Sequence, residues 1–238
     1  MTNDLFPVAI LVGGLATRLR PITESIPKSL IEVAGEPFIF HQLRLLKERG
    51  INRVVICAGY MGERIQNVVA QGEMFDLRID YSFDGPELIG TAGAVRKALP
   101  LLGEKFFVMY GDSYLECDYA SIQKTFLRSN KEGLMTIYRN EGQWDRSNVE
   151  FLDGNILRYD KKQQTPQMHY IDYGLGLFNK NVFYDVEKQT ISDLPEIYQH
   201  LLAHNQLEAF ECENRFYEIG SFIGIEELNK YILEKRKG

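Results

Sequence analysis

The sequence predicts an α/β fold with a doubly wound, mainly parallel sheet, and two observations carry that prediction. Continuous apolar runs recur through the first half of the chain, and each is followed by a segment with helical spacing of its apolar residues. Such runs are typical of parallel strands buried on both faces, with helices as their crossovers. In the second half the apolar runs follow one another through turns, which predicts an α+β lobe over the carboxyl ends of the strands.

The first half of the chain alternates strand and helix from its start. The predicted elements, in order, are strand VAILVG, helix PFIFHQLRLLKERG, strand NRVVICAG, helix GERIQNVVAQ, strand LRIDYSF, helix TAGAVRKALPLL and strand KFFVMYG. In the first helix the apolar residues recur at helical spacing, and Gly50 is a typical stop signal. Because ligands of open α/β sheets bind at the carboxyl ends of the strands, we expect the functional site there.

The second half of the chain changes character. Its predicted elements are the strands LMTIYRN, NVEFL, ILRYD and YGLGLF, the helix DLPEIYQHLLAHN, the strand LEAFEC and the helix IGIEELNKYILEKRK. Asp153-Gly154, between two of these strands, is a strong hairpin signal. No linker or repeat separates the halves, so we expect one domain over residues 1–238, with lobes at 1–130 and 131–238.

Charge and cysteine content argue against several classes of protein. The formal net charge of -6 predicts a surface that repels nucleic acid and acidic membranes. The widely spaced Cys57, Cys117 and Cys212 suggest no disulfide framework, which favours a reducing compartment. The first apolar run is too short for a signal peptide or a membrane span. We therefore expect a cytoplasmic protein without nucleic-acid or membrane partners, while a homo-oligomer stays an open alternative.

A glycine-rich loop follows the first predicted strand. Residues 11–30 read LVGGLATRLRPITESIPKSL, so two glycines precede the three cations Arg18, Arg20 and Lys28. Glycine lets the backbone approach a phosphate closely, and cations favour an anionic ligand. Neither G-x-G-x-x-G of dinucleotide folds nor G-x-x-x-x-G-K-[ST] of P-loops is present. A plain turn with solvated cations is the alternative, and the loop alone does not decide between them.

Several motifs in order resemble the sugar-1-phosphate nucleotidylyltransferases. GGLATRLRP followed by IPKSL is similar to their signature G-G-x-G-T-R-L-x-P…P-K, and PFIFHQLRLLKERGI, ELIGTAGAV, FVMYGDS and YEIGSFIGIEEL extend the resemblance over essentially the whole chain. The resemblance implies a Rossmann-like, GT-A-like nucleotidyltransferase fold with a nucleotide-binding first lobe and a sugar-phosphate-binding second lobe. It also implies an NTP and a sugar 1-phosphate as substrates, with an NDP-sugar and pyrophosphate as products.

The resemblance assigns roles within the loop. Arg18 would hold the phosphates that leave as pyrophosphate, and Lys28 would bridge the α-phosphate and the acceptor phosphate. Because these two anions repel one another, an in-line displacement needs cations between them. Ala16 stands where the family often has glycine, which is a departure from the signature. The implied nucleotide-binding residues are Leu11, Gly13, Gly14, Thr17, Glu87, Gly90, Thr91 and Gly93.

Three carboxylates carry finer expectations about the base and the metal. Glu87 favours GTP because guanine presents two adjacent donors to a carboxylate, with backbone contacts to the base as the alternative. The resemblance makes Asp112, which follows a buried strand, a ligand of Mg²⁺. Glu218 stands where the family has a second aspartate and would be the other ligand. The metal would offset charge at the α-phosphate.

The acceptor site is implied in the second lobe. Asp160 and Lys161 stand where the family has Glu-Lys, so the carboxylate would accept from sugar hydroxyls and the ammonium would bind the sugar phosphate. Asn148 and Gly174 complete the implied acceptor site. The chain looks most like the mannose- or heptose-1-phosphate guanylyltransferases that supply surface polysaccharides. The alternatives are a uridylyl- or cytidylyltransferase for another phospho-acceptor, and a non-catalytic regulatory homologue that binds a nucleotide sugar.

Overall fold

The computed structural model describes residues 4–14, 17–87, 89–184 and 193–237. Four parallel strands form the centre of the fold in the first half of the chain. These are β1 (Val8–Leu11), β4 (Arg53–Ala58), β5 (Arg78–Phe83) and β6 (Lys105–Tyr110). Their order across the sheet is β6-β1-β4-β5, and Val8 lies opposite both Val54 and Phe107. The predicted parallel arrangement, with long apolar strands buried on both faces, is confirmed.

Helices lie on both faces of this sheet and beside it. They are α1 (Ile22–Ser25), α2 (Phe38–Glu48), α3 (Gly62–Val69), α4 (Gly90–Ala98), α5 (Tyr119–Ser129), α6 (Leu194–Ala203) and α7 (Phe222–Lys235). One apolar layer takes Leu43 from α2 and Ile122 from α5, and the other takes Val95 from α4 and Leu201 from α6. The doubly wound architecture predicted from the strand–helix alternation is therefore confirmed.

The second half of the chain extends the same sheet with antiparallel pairs. Its strands are β8 (Gly133–Arg139), β9 (Val149–Leu152), β10 (Asn155–Tyr159), β11 (Tyr170–Asn179) and β12 (Leu207–Cys212). Strand β11 pairs antiparallel with both β6 and β8, so the mixed sheet runs through both lobes. Asp153 and Gly154 both have positive φ at the hairpin turn, as their sequence predicts.

Two short ladders, which the sequence did not predict, lie beside the main sheet. Strand β2 (Glu32–Val33) pairs with β3 (Glu36–Pro37), and β7 (Ser113–Tyr114) pairs with β13 (Tyr217–Glu218). The second ladder joins residues about a hundred positions apart and lies where the carboxyl end of β6 meets the start of α7. No helix in the described ranges is long and apolar enough to cross a membrane.

Candidate active site

A cavity of about 460 Å³ opens at the carboxyl ends of β6, β1, β4 and β5. Adjacent strands lie about 4.8 Å apart, so the ends of β6 and β5 are separated by roughly 14 Å. The sheet therefore gives the cavity two distinct ends. Of the residues predicted from the sequence, those that line it are Leu11, Gly13, Gly14, Arg18, Lys28, Gly90, Thr91 and Asp112.

At the β6 end a lysine and an aspartate form an ion pair. Nζ of Lys28 lies 2.6 Å from Oδ2 of Asp112, and their side chains are 17% and 33% exposed. Lys28 begins a short 3₁₀ helix directly after Pro27, and Asp112 follows β6 through Gly111. Two segments 84 positions apart in sequence thus bring opposite charges together at the edge of the cavity.

Glu218 joins this pair through the β7–β13 ladder. Glu218 lies opposite Ser113, and the backbone N–H of Ile219 donates to the carbonyl oxygen of Asp112 over 2.9 Å. The Glu218 carboxylate accepts from the backbone N–H of Gly220 and from the Ser221 hydroxyl. A Cβ on Gly220 would collide with that carboxylate and lie 3.3 Å from Nζ of Lys28. Only glycine leaves room for both charged groups here.

The donor set at this end suits a magnesium ion shared with phosphates. Asp112, directly before β7, and Glu218, on the paired strand β13, offer hard carboxylate oxygens. Within the described part of the chain no group of three or more His, Cys, Asp or Glu side chains could enclose a metal. Mg²⁺ is commonly held by one or two carboxylates with water and substrate phosphate completing its octahedron, so these residues fit it.

A buried amide braces the turn that carries Asp112. Nε2 of Gln42, on α2, donates to the carbonyl oxygen of Ser113 over 2.7 Å and to that of Tyr110 over 3.4 Å. Gln42 is 1% exposed, so these two bonds are shielded from water. They hold both ends of the turn at a fixed separation, which fixes where the Asp112 carboxylate points.

The glycine-rich loop meets the cavity through its backbone. A Cβ on Gly13 would lie 3.0 Å from Oδ2 of Asp84 and 3.2 Å from the backbone nitrogen of Gly59, so packing alone favours glycine there. Gly14 is exposed with open space around its Cα, and Arg18 is exposed beside it. Ala16 and the side chain of Thr17 lie outside the described residues.

The β5 end of the cavity holds a carboxylate that the sequence analysis did not identify. Asp84 directly follows β5, and its Oδ1 atom is buried without a donor among the described residues. Lys97 donates to the backbone carbonyl of Asp84 instead, over 2.8 Å. Burial raises the pKa of the Asp84 carboxyl to about 6, although Lys97 acts against the shift. Glu87, the predicted base contact, is exposed and does not line the cavity.

Helix α4, whose first residues belong to the ELIGTAGAV motif, is hydrogen-bonded to the start of α6. Both the backbone N–H and the hydroxyl of Thr91 donate to Oδ1 of Asp193, over 3.0 and 2.9 Å. The same hydroxyl accepts from the N–H of Leu194 over 2.7 Å. Asp193 thus caps α4 and Thr91 caps α6, so the Thr91 hydroxyl already has two partners within the protein. Gly93 packs against Ile89, while Gly90 adopts φ +72° at the cavity wall.

The predicted acceptor residues lie beyond Tyr110, which lines the cavity on its β6 side. Lys161 donates to the Tyr110 hydroxyl over 3.4 Å and forms an ion pair with Asp172, which the sequence analysis also missed. The Asp160 carboxylate instead accepts from the backbone N–H groups of Lys162 and Gln163.

The other two predicted acceptor residues hold the backbone of this region. Oδ1 of Asn148 accepts from the N–H of Asp172 over 2.9 Å. Gly174 has φ +99°, and a Cβ there would lie 3.3 Å from the Ser113 hydroxyl. The structure therefore brings Lys161 and Gly174 toward the Asp112 turn, whereas Asp160 caps its own loop.

The model of the nucleotidyl transferase family matches residues 8–235, and the chain belongs to that family. The resemblance identified from the sequence motifs is thereby confirmed.

Among its relatives is the mannose-1-phosphate guanylyltransferase catalytic subunit beta of Xenopus tropicalis, 30% identical over 217 residues. The subunit of that name from Dictyostelium discoideum is 30% identical over 216 residues. Each alignment covers 89% of this chain and 60% of the relative, so the chain spans about three fifths of the length of these proteins.

Two solved structures show the same fold. HddC from Yersinia pseudotuberculosis, complexed with GMP-PN, aligns with a TM-score of 0.76 at 22% identity, over 96% of this chain and 100% of that one. UDP-glucose pyrophosphorylase from Acinetobacter baumanii aligns with a TM-score of 0.77 at 18% identity, over 97% and 94%.

Proposed function

We propose that the chain transfers a guanylyl group from GTP to a sugar 1-phosphate of the mannose or heptose type, releasing pyrophosphate. The convergence of Lys28, Asp112 and Glu218 at one end of the cavity carries the proposal. An acceptor phosphate oxygen forms a bond to the α-phosphorus of GTP, and the bond from that phosphorus to the pyrophosphate oxygen breaks. No redox step or covalent intermediate is needed.

The residues divide the work of bringing two anions together. Lys28 lies at the edge of the cavity, where it can contact the α-phosphate and the acceptor phosphate, and exposed Arg18 can meet the departing phosphates. Asp112 and Glu218 would hold Mg²⁺, which supplies charge compensation at the α-phosphate. When the nucleotide arrives, its phosphates replace Asp112 as the partner of Lys28. In the ligand-free protein the ion pair compensates the charges of Lys28 and Asp112.

Asp84 supports guanine as the base. Its buried Oδ1 has no donor among the described residues, and it lies at the end of the cavity opposite Lys28. Guanine offers adjacent N1–H and N2–H donors, which suit a carboxylate, whereas uracil offers one donor between two acceptors. Relatives named as mannose-1-phosphate guanylyltransferases agree with that choice. Such nucleotide chemistry fits a cytoplasmic enzyme of surface-polysaccharide synthesis.

Pyrophosphate release across a matrix of substrates tests the proposal. The donors are GTP, UTP, CTP and dTTP with Mg²⁺, and the acceptors are the 1-phosphates of mannose, glucose and a manno-heptose. We expect the highest kcat/KM for GTP with mannose or heptose 1-phosphate. Faster turnover of UTP or CTP would favour the other transferase class. No turnover with any pair, together with tight binding of a nucleotide sugar, would favour the regulatory homologue.

A further inference from the structure

A buried carboxylate lies beside Lys161 in the second lobe. Asp172, on β11, has a side chain that is only 1% exposed. Its Oδ2 atom lies 3.1 Å from Nζ of Lys161 and accepts from the Tyr159 hydroxyl, also over 3.1 Å. Its Oδ1 atom accepts from the backbone N–H of Gly174 over 3.0 Å. Three donors of the protein itself therefore contact this carboxylate.

These contacts stabilise the buried charge of Asp172 and hold its carboxylate in one orientation. Burying a carboxylate is unfavourable unless charge and hydrogen bonds compensate it, and here an ammonium, a hydroxyl and an amide do so. The backbone is held as well, since the N–H of Asp172 donates to Oδ1 of buried Asn148. The register of β11 shifts just beyond Asp172, where Gly174 has positive φ.

Lys161 is held between this carboxylate and the wall of the nucleotide cavity. Its ammonium lies 4.9 Å from the centre of the Tyr110 ring, and Tyr110 lines that cavity. The Lys161 side chain is 37% exposed, so part of it faces solvent. Burial alone would lower the pKa of Lys161, but Asp172 and Tyr110 raise it above its ordinary value. The Lys161 ammonium therefore stays charged and is oriented by Asp172 and Tyr110.

Asp160, the carboxylate expected at the acceptor, is occupied elsewhere. It accepts from two backbone N–H groups of its own loop and lies 3.7 Å from Arg158. We infer that Asp172 is the positioning residue of the acceptor site, holding the ammonium of Lys161 where it meets the acceptor phosphate. This inference rests on the proposed function, and Asp172 acts through Lys161 without touching the substrate.

A double-mutant cycle tests the inference. In Asp172→Asn the amide oxygen can still accept from Gly174, but its NH₂ group turns donors toward the ammonium of Lys161. We expect the KM for mannose 1-phosphate to rise about tenfold to hundredfold, with the KM for GTP within about twofold of wild type. Lys161→Met should raise the acceptor KM at least as far. Adding Asp172→Asn to Lys161→Met should change it no further, because the two residues act as one unit.

Two provisions keep this test separate from that of the overall function. If the protein does not use mannose 1-phosphate, the acceptor KM is measured with the sugar 1-phosphate that gives the highest turnover in the substrate matrix. Mass-spectrometric acylation of Lys161 needs no turnover, and Asp172→Asn should accelerate it several-fold because the ammonium loses its carboxylate. The matched control is Asp80→Asn, which breaks another strand ion pair, that with Arg53 at 3.0 Å, away from the cavity. It should leave both KM values and Lys161 acylation unchanged.

Three results would overturn the inference. One is an acceptor KM in Asp172→Asn that stays within twofold of wild type while the variant is folded. Another is an equal effect of Asp172→Asn in the wild-type and Lys161→Met backgrounds. The third is an unchanged rate of Lys161 acylation, which would refute the positioning role even in a chain without transferase activity.

Discussion

The two ends of the cavity differ in whether their charged side chains have partners within the protein. At the β6 end Lys28 pairs with Asp112 at 2.6 Å, and the Glu218 carboxylate accepts from the Gly220 N–H and the Ser221 hydroxyl, so each of these three charged groups has a partner. At the β5 end Asp84 keeps a buried carboxylate oxygen with no donor among the described residues. Under the proposed function the first end would accept anions and release them, whereas the second would recognise the hydrogen-bond donors of the base.

This difference explains why the two ends use different devices. A mobile triphosphate brings its own charge, so cations and carboxylates that neutralise one another can exchange partners when it binds. A neutral base brings hydrogen-bond donors and acceptors but no charge, and an unpaired acceptor in the protein discriminates between bases more strongly than a paired one. Substitutions at each end should therefore fail in different ways.

The largest effect is expected for Lys28→Ala at the β6 end. Without the ammonium nothing bridges the two phosphates, so kcat should fall about 10³-fold or more while the fold stays intact by circular dichroism. Lys47→Ala serves as the control, because Lys47 also forms an ion pair, with Asp76 at 2.8 Å, but lies outside the cavity lining. A kcat for Lys28→Ala within tenfold of wild type would refute the bridging role.

The next effect is expected for Glu218→Gln and concerns the metal. The amide oxygen can still accept from Gly220, but it loses the charge that would hold Mg²⁺. The Mg²⁺ concentration for half-maximal rate should rise about tenfold to hundredfold, and chelation by EDTA should stop turnover of both proteins. Glu208→Gln, which loses the ion pair between Glu208 on β12 and Lys131, controls for a general loss of charge. An unchanged Mg²⁺ dependence would remove Glu218 from the metal site.

A smaller and more selective effect is expected for Asp84→Asn at the β5 end. The kcat/KM for GTP should fall about tenfold to hundredfold, and that for UTP should fall less or rise, because an amide suits uracil. Competition between the two nucleotides measures the change directly. A shift in base preference for Glu87→Gln, with none for Asp84→Asn, would make the exposed Glu87 the base contact after all.

The sequence was informative where structure is local and less so where contacts cross the chain. Unbroken apolar runs predicted the parallel core, and the order of motifs predicted Lys28 and Asp112 at one site. The β7–β13 ladder escaped prediction because two-residue strands form only through pairing between distant residues. Glu218 was expected near Asp112 from the resemblance alone.

The two missed carboxylates have a related explanation. Asp84 precedes a glycine and has the appearance of an ordinary turn acid, although the same position after a strand had marked Asp112 as notable. Asp172 lies inside a strand, where its pairing with Lys161 depends on which strands are neighbours. The missing donor of Asp84 and the partners of Asp172 both depend on contacts between distant segments, which the sequence alone does not show.

The smallest expected effect concerns stability and distinguishes the two ends once more. Burial raises the pKa of Asp84 from an ordinary 3.8 to about 6, so between these values the unfolded chain loses a proton that the folded chain retains. Stability contributed at this site therefore falls as pH rises from about 4 to 6 and stays lower above it. Asp84→Asn should raise the Tm by a few degrees at pH 7.5 and leave it unchanged at pH 3.5, which differential scanning calorimetry can measure.

Binding of GTP should reduce the Tm advantage of Asp84→Asn at pH 7.5, because the donors of guanine would compensate the Asp84 carboxylate of the wild type. Saturating GTP should therefore raise the Tm of the wild type at pH 7.5 more than that of Asp84→Asn. Equal Tm values for the two ligand-free proteins at both pH values would mean that the carboxylate is compensated within the protein. The contrast between a neutralised phosphate end and an uncompensated base end would then fail, and with it the reason for assigning base recognition to Asp84.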